Sequence, residues 1–137
     1  MNLRLSIIIV NYKSWDDLDR CLHAIFAHAP SFTFEVIVVD NGSGQPEQEQ
    51  KFLQLWKEKI HYIASKENLG FGRGNGLGIA RASGEYLGLI NPDVRVWENS
   101  LQKIIEYMDA HQEIGVCGGQ LVFSDGTIQD SYRSFPT

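Results

Sequence analysis

The sequence predicts a three-layer α/β/α fold built on a mainly parallel central sheet. Short apolar, β-branched runs alternate with segments whose apolar residues recur every three or four positions, as in strands followed by helices. Such alternation is typical of βαβ units with right-handed crossovers and parallel neighbouring strands. We expect the 137 residues to form one domain, residues 1–137, with a core of ordinary size.

The elements follow one another with short connections. Strands are predicted at residues 5–10, 34–39, 60–64 and 86–90, with a fifth candidate at 116–123. Helices are predicted at residues 14–29, 45–59 and 98–111, with a glycine-rich one that ends near 82. The first helix begins at Ser14, where Ser14 and Asp17 fit a capping box. The strand at 86–90 is apolar throughout, so we expect it in the centre of the sheet with both faces buried.

Composition and charge exclude several classes of protein. The formal net charge of −5 argues against a general nucleic-acid binder, which needs a basic face. No apolar run approaches the roughly 20 residues of a membrane span, and residues 1–10 lack the pattern of a secretory signal. Cys21 and Cys117 have no metal-ligand spacing, so we interpret both as core residues. A cytoplasmic location is therefore expected.

Polar clusters directly follow three of the predicted strands. They are Asn11-Tyr12, Asp40-Asn41 and Asn91-Pro92-Asp93. The carboxyl ends of parallel strands lie at one edge of a sheet, where open α/β sheets bind their ligands. Pro92 removes a backbone donor, so the strand must stop and place Asp93 on a stiff turn. Each cluster alone could be an ordinary turn, but their convergence favours a binding site.

The residue types at this edge suit a pyrimidine nucleotide. The Asp40 carboxylate offers only acceptors, as needed for the N3–H of a pyrimidine base. Tyr12 would stack on that base, although a packed loop aromatic is the alternative. An acidic site can hold a diphosphate if a divalent cation lies between them.

Residues 68–78 carry a glycine at every even position from 70 to 78. Each glycine inside a helix costs about 1 kcal/mol relative to alanine. We therefore expect the backbone here to approach a ligand or a facing strand closely, with a flexible loop as the alternative. The spacing fits neither G-x-G-x-x-G nor G-x-x-x-x-G-K-[ST], which disfavours a dinucleotide dehydrogenase and a P-loop NTPase. Arg73 could pair with a phosphate or be solvated.

Together these motifs closely resemble the nucleotide-binding half of the family 2 glycosyltransferases, over about residues 4–123. The matching segments are Asn11-Tyr12, VIVVDNGS at 36–43, ENLGFGRGN at 67–75 and GEYLGLINPDV at 84–94. The resemblance implies a GT-A fold and inverting transfer of a sugar from a nucleoside diphosphate donor. It also implies a glycan or lipid-linked acceptor, reached at the inner face of a membrane.

The resemblance also assigns the donor site. The implied residues are Asn11, Tyr12, Asp40, Asn68, Arg73, Asn91 and Asp93. Residues 91–93 stand where the family usually has Asp-x-Asp, whose acids hold Mg²⁺ or Mn²⁺ against the diphosphate. Asn91 replaces the first acid, so Asp93 is the implied metal ligand.

The last residues bear on the donor and on catalysis. Asn-Pro-Asp and the segments 125–129 and 133–136 resemble a rhamnosyltransferase-like branch, which implies dTDP-rhamnose, with a UDP-sugar as the alternative. Inverting transfer needs a general base, and no residue is a suitable candidate. We therefore expect the N-terminal part of a longer glycosyltransferase, inactive alone. The alternatives are a non-catalytic nucleotide-sugar-binding module and a different Rossmann-type enzyme.

Overall fold

The computed structural model describes residues 2–131, 134 and 136. Within them strands and helices alternate: β1 Leu5–Asn11, α1 Trp15–Ala27, β2 Phe34–Asn41, α2 Pro46–Trp56, β3 His61–Ser65, α3 Phe71–Arg81, β4 Tyr86–Leu89 and α4 Ser100–Ala110. The strands pair in the order β3-β2-β1-β4, and every pair is parallel. The predicted α/β class and the parallel sheet are thereby confirmed.

Helices cover both faces of the sheet. One face buries Ile8, Ile37 and Val39 under α3, which packs on β1 and β2. On the other face, the Phe26 ring of α1 lies 5.8 Å from the Phe34 ring of β2. The Phe52 ring of α2 lies 6.2 Å from the Tyr62 ring of β3. Successive residues of a strand point to opposite faces of the sheet, so the strands pack against helices on both sides and the fold has three layers.

The glycines of α3 allow the helix to lie directly on the sheet. A Cβ atom added to Gly78 would be 2.4 Å from Ile8 Cγ2, and one added to Gly74 would be 3.0 Å from Val10 Cγ1. The predicted close approach to a facing strand is therefore confirmed at these two positions. It brings the start of α3 to the carboxyl ends of β1 and β2.

Gly78→Ala should destabilise the fold by about 1–3 kcal/mol, because the added methyl group overlaps a buried isoleucine. Gly76 lies in the same helix, and a Cβ atom added there would meet no described heavy atom within 4 Å. Gly76→Ala is thus a matched control, and should raise stability by about 0.5–1 kcal/mol. Urea denaturation of both variants measures the difference. Equal changes in the two variants would contradict this packing of α3.

The prediction that the strand at 86–90 is central and buried on both faces is wrong. β4 lies at an edge of the described sheet, and Leu87 and Leu89 are 48% and 52% exposed. Leu87 pairs with Ser6 and Leu89 with Ile8, so both leucines share the face that α3 covers. α3, however, packs over β1 and β2. An apolar run records a preference for burial without showing which element covers it.

The fifth strand predicted at 116–123 is absent from the described residues. A single antiparallel bridge joins Val122 to Ile128 instead, and Gly126 turns the chain between them with φ +87°. The predicted turn at residues 124–127 is present. The glycines at 118 and 119 weaken strand formation because they supply no side chain to pack.

The capping box predicted at Ser14 is also absent. Ser14 is the N-cap of α1, but its side chain makes no capping hydrogen bond. Its hydroxyl donates to the Tyr12 carbonyl, and its amide donates to Asn11 Oδ1. The strand end before the helix therefore fixes these groups.

The contacts divide the chain into two compact units, residues 1–102 and 103–137. The first contains the whole sheet with α1, α2 and α3, and the second contains most of α4 and the Val122–Ile128 bridge. One domain over residues 1–137 stays a prediction. No described helix is long and apolar enough to span a bilayer.

Candidate functional site

The candidate site lies in the first unit, at the carboxyl ends of β2, β1 and β4, which are neighbours in the sheet. Asn11 at the end of β1 is the register partner of Asp40 in β2. The Ile90 amide donates to the Ile8 carbonyl, so the chain leaves β4 still beside β1. The sheet thus places the three polar segments side by side.

Asp40 is the centre of a buried hydrogen-bond network. Asp40 is only 4% exposed. Oδ1 accepts hydrogen bonds from Asn11 Nδ2 at 3.0 Å and from Ser43 Oγ at 2.5 Å, while Oδ2 accepts one from the Ser43 amide at 3.2 Å. A carboxylate suits this position because three donors converge on it. Oδ2 accepts a single bond from these donors and keeps a lone pair for a further one.

Ser43 joins the loops that follow β1 and β2. Its Oγ, which donates to Asp40, also accepts a hydrogen bond from the Lys13 amide at 2.8 Å. Lys13 is in the left-handed region, with φ +55°. Sparsely populated backbone conformations of this kind persist where surrounding bonds hold them. Sequence reasoning gave Ser43 no role, although it follows Asp40 closely in the same motif.

Gly42 lets the loop after β2 touch the loop before α3. Its φ is +77°, and a Cβ atom there would be 2.4 Å from the Glu67 carbonyl carbon. Any larger residue would therefore separate the two loops.

Asn41 then fixes the loop before α3. It is 2% exposed, and its Nδ2 donates to Asn68 Oδ1 at 3.0 Å and to the Gly70 carbonyl at 3.1 Å. Its Oδ1 accepts from the Leu69 amide at 3.0 Å. Asn68 Oδ1 also accepts from the Gly70 amide at 2.8 Å. The side-chain carbonyl of Asn68 thus shapes this loop, a role that the sequence did not reveal.

Tyr12 and Arg73, both predicted site residues, are exposed to solvent. Tyr12 is 44% exposed, and Lys13 Nζ lies 5.2 Å from the centre of its ring. Arg73 is exposed in the first turn of α3. A half-exposed ring beside a cation can serve as a stacking platform. Both residues therefore remain available to a ligand.

Residues 91–94 form the turn that follows β4. The Val94 amide donates to the Asn91 carbonyl at 3.1 Å, and Pro92 occupies the second position, as β-turns favour. Asn91 and Asp93 are exposed. The turn therefore carries a carboxylate and an amide at the edge of the sheet.

The chemistry of this turn fits a divalent cation shared with phosphate. The described part of the chain has no group of three or more His, Cys, Asp or Glu residues that could hold a metal. Asp93 and Asn91 nonetheless offer hard oxygen donors. Mg²⁺ is commonly held by one or two carboxylates together with substrate phosphates. These residues suit that arrangement and not an all-protein cage.

The turn rests on Arg95 and α1. Arg95 Nη1 donates to the carbonyls of Pro92 at 3.0 Å and Val94 at 3.1 Å, and its Nη2 donates to Asp17 Oδ1 at 3.0 Å. Cys21 Sγ lies 3.8 Å from the Asn91 carbonyl oxygen. Burial raises the pKa of the Cys21 thiol to about 11, so it stays neutral. Sequence reasoning missed Arg95, because its partners are set by the tertiary fold.

Asp125 and Asp130, the last acidic residues of the sequence, show no sign of acting as a general base. Asp125 Oδ1 accepts hydrogen bonds from the amide and the hydroxyl of Thr127, which close its own turn. Those bonds lower the pKa of Asp125. Asp130 is exposed. The segment 133–136, which resembles the rhamnosyltransferase-like branch, lies partly outside the described residues.

Comparison with known proteins shows what the chain is similar to. The family model described as glycosyl transferase family 2 matches residues 6–136. The low-salt glycan biosynthesis hexosyltransferase Agl10 of Haloferax volcanii is 34% identical over 106 residues, which are 73% of this chain and 31% of that protein. The chain therefore spans about a third of this relative.

Solved structures give the same fold. The Staphylococcus aureus TarS 1-349 structure superposes with a TM-score of 0.67 at 22% identity, over 80% of this chain and 33% of TarS. The mannosyltransferase PcManGT of Pyrobaculum calidifontis, in complex with GDP-Man and Mn²⁺, gives a TM-score of 0.66 at 17% identity, over 79% and 33%. TarS 1-349 is also known in complex with UDP-GlcNAc. At these identities the likeness establishes the GT-A fold.

Proposed function

Since the chain belongs to glycosyltransferase family 2, we propose that its carboxyl edge binds the nucleoside diphosphate of a sugar donor and presents the sugar for transfer. The observation that carries the proposal is the network around Asp40. It fixes the loops after β1 and β2 at one edge and leaves an acceptor on Asp40 Oδ2. Family 2 relatives act in glycan biosynthesis by name, as Agl10 does.

The base would lie between Tyr12 and Asp40. Asp40 Oδ2 accepts the N3–H of a uracil or thymine ring, while the exposed Tyr12 ring stacks on its face. Asn11 supports this arrangement through its bond to Asp40. The donor proposed from the rhamnosyltransferase-like motifs is dTDP-rhamnose, with a UDP-sugar as the alternative.

The diphosphate would extend from the base towards Arg73 and the turn at 91–94. Asp93, assisted by the Asn91 amide oxygen, would hold Mg²⁺ or Mn²⁺ against it. When bound, the cation supplies charge neutralisation for the leaving diphosphate. A chain with a formal net charge of −5 benefits from such a cation, because it otherwise repels a polyanion. Asn68 and Arg73 flank the phosphates.

Transfer itself would proceed with inversion. An acceptor hydroxyl attacks the anomeric carbon from the side opposite the diphosphate, and a general base takes its proton. The described residues offer no such base, so we expect this chain to supply donor binding without transfer by itself. The acceptor would be a glycan or a lipid-linked saccharide at the inner, cytoplasmic face of a membrane.

Nucleotide titration tests the proposal. Isothermal titration with UDP, dTDP and GDP, each with and without Mn²⁺, should show binding of at least one pyrimidine nucleotide that Mn²⁺ tightens. No binding of any nucleotide would refute the proposal.

A non-catalytic nucleotide-sugar-binding module is the second candidate. The observation that favours it is Asn91, which stands where the family motif usually has an acid. Neither candidate predicts transfer by residues 1–137 alone, so the two functions are separated with the longer protein that the resemblance implies. When that protein is incubated with UDP-sugars and dTDP-sugars plus saccharide acceptors, only an enzyme releases the free nucleotide in step with glycosylated product.

A further inference from the structure

We infer that Arg95, held by Asp17, is a positioning residue that fixes the Asn91–Val94 turn so that Asp93 faces the metal–diphosphate position. This inference rests on the proposed function, since it assigns Asp93 to that position. It adds a pair of residues, one on α1 and one beyond the turn, that contact neither nucleotide nor cation.

The guanidinium of Arg95 holds the backbone on both sides of Asp93. Nη1 donates to the carbonyl of Pro92, which precedes Asp93, and to the carbonyl of Val94, which follows it. Both bonds are near 3 Å, at 3.0 and 3.1 Å. With the peptide groups before and after it fixed, Asp93 has few backbone directions in which to move. The planar guanidinium is suited to this task because its donors form a rigid fork.

Asp17 holds the other end of the guanidinium. Its Oδ1 accepts from Arg95 Nη2 at 3.0 Å. Asp17 lies in the first turn of α1, between the buried residues Trp15 and Leu18. The acid is therefore mounted on an element that the core keeps in place. Arg95 connects the turn to that element across 78 positions of the sequence.

The exposure of the pair points to orientation as its main role. The Arg95 and Asp17 side chains are 33% and 46% exposed. Exposed ion pairs contribute little to stability, because water screens them and two long side chains lose freedom. The bonds to two turn carbonyls, in contrast, act directly on the geometry of a neighbouring ligand. Groups that orient a metal ligand commonly affect metal affinity strongly without touching the metal.

The direction of the bonds separates positioning from direct binding. Both Nη atoms of Arg95 donate to protein oxygens, and Val96 next along the chain is buried. The guanidinium is thus committed to the turn and to α1. Asp93 and Asn91, on the same turn, are the exposed groups.

The test measures how much Mn²⁺ tightens nucleotide binding. The dissociation constants of UDP and dTDP are determined with and without Mn²⁺. The Mn²⁺ ratio, which is the constant without Mn²⁺ divided by the constant with Mn²⁺, is then compared between the wild-type chain and Arg95→Met. We expect the ratio to fall by about 10-fold or more, while the metal-free constant stays within about 2-fold of wild type. Asp17→Asn keeps an acceptor for Arg95 without the charge, so it should lower the ratio less than Arg95→Met does.

Arg4→Met is the matched control. Arg4 also forms a partly exposed ion pair, with Glu85, and that pair lies at the start of β4 instead of its end. Arg4→Met should lower the thermal midpoint by about as much as Arg95→Met and leave the Mn²⁺ ratio unchanged. Arg95→Lys serves as a second variant if Arg95→Met does not fold, and should restore part of the ratio.

The outcomes separate this inference from the proposed function. A folded Arg95 variant that keeps the wild-type ratio overturns the inference alone, whatever its thermal midpoint. A wild-type chain that binds nucleotide equally with and without Mn²⁺ overturns the inference and the assigned cation together. A wild-type chain that binds no nucleotide overturns the proposed function and with it the inference.

Discussion

Asp40→Asn should weaken the binding of pyrimidine nucleotides by about 10-fold or more, with and without Mn²⁺, because a hydrogen bond to a charged group contributes about 1.5–3 kcal/mol. The asparagine carbonyl can still accept from Asn11 and Ser43 Oγ, as Asp40 Oδ1 does. Its amide then replaces Oδ2 and opposes both the Ser43 amide and the N3–H of the base. The variant therefore has an N–H donor facing the N3–H of the base, where the wild-type chain has an acceptor.

A modified ligand makes this experiment specific for one atom. N3-methyl-UDP lacks the donor that Asp40 would accept, so it should bind the wild-type chain weakly and the Asp40→Asn variant no worse. The control is Asp19→Asn, which changes the charge equally and keeps an acceptor for the Trp56 indole. It should bind UDP as wild type does. A folded Asp40→Asn variant that binds UDP with wild-type affinity would show that Asp40 serves the fold alone.

The strands were predictable because burial and chain geometry act locally on them. The runs at 5–10 and 34–39 are apolar and β-branched, and the structure has strands at both, extended to Asn11 and to Asn41. Those extensions matter, since they place Asn11 and Asp40 in register with each other. The parallel sheet itself determines that polar strand ends share an edge. The general position of the candidate site follows from these facts.

The contacts inside the site could not be predicted in the same way. Asn41 and Asn68 are 27 positions apart, and their bond depends on how two loops meet. Gly42 is needed because the backbone at Glu67 lies against it. No periodic pattern records such contacts, because they are fixed only when the sheet has formed. The exposed face of β4 shows the same limit, since Leu87 and Leu89 are apolar in sequence yet half exposed.

Asp93→Ala should remove most of the tightening by Mn²⁺ while leaving metal-free binding of UDP or dTDP within about 2-fold of wild type. Mg²⁺ and Mn²⁺ require hard oxygen ligands, and alanine leaves the Asn91 amide as the remaining side-chain donor on the turn. Because Asp93 is exposed, stability should change by no more than about 0.5 kcal/mol. Titrations of the variant with and without Mn²⁺ measure the effect.

Asn91→Asp is the matched counterpart of that variant, because it gives the turn a second carboxylate. It should increase the tightening by Mn²⁺, since a second charged ligand strengthens the site against a divalent cation. The contrast with Asp40→Asn is then diagnostic: one residue affects binding in both conditions, and the other only when the metal is present. Unchanged tightening in both Asp93→Ala and Asn91→Asp would mean that the turn simply ends β4, and that any cation is held elsewhere. If Asp93→Ala reduces the tightening by Mn²⁺ and Asn91→Asp increases it, the diphosphate is assigned to the end of β4.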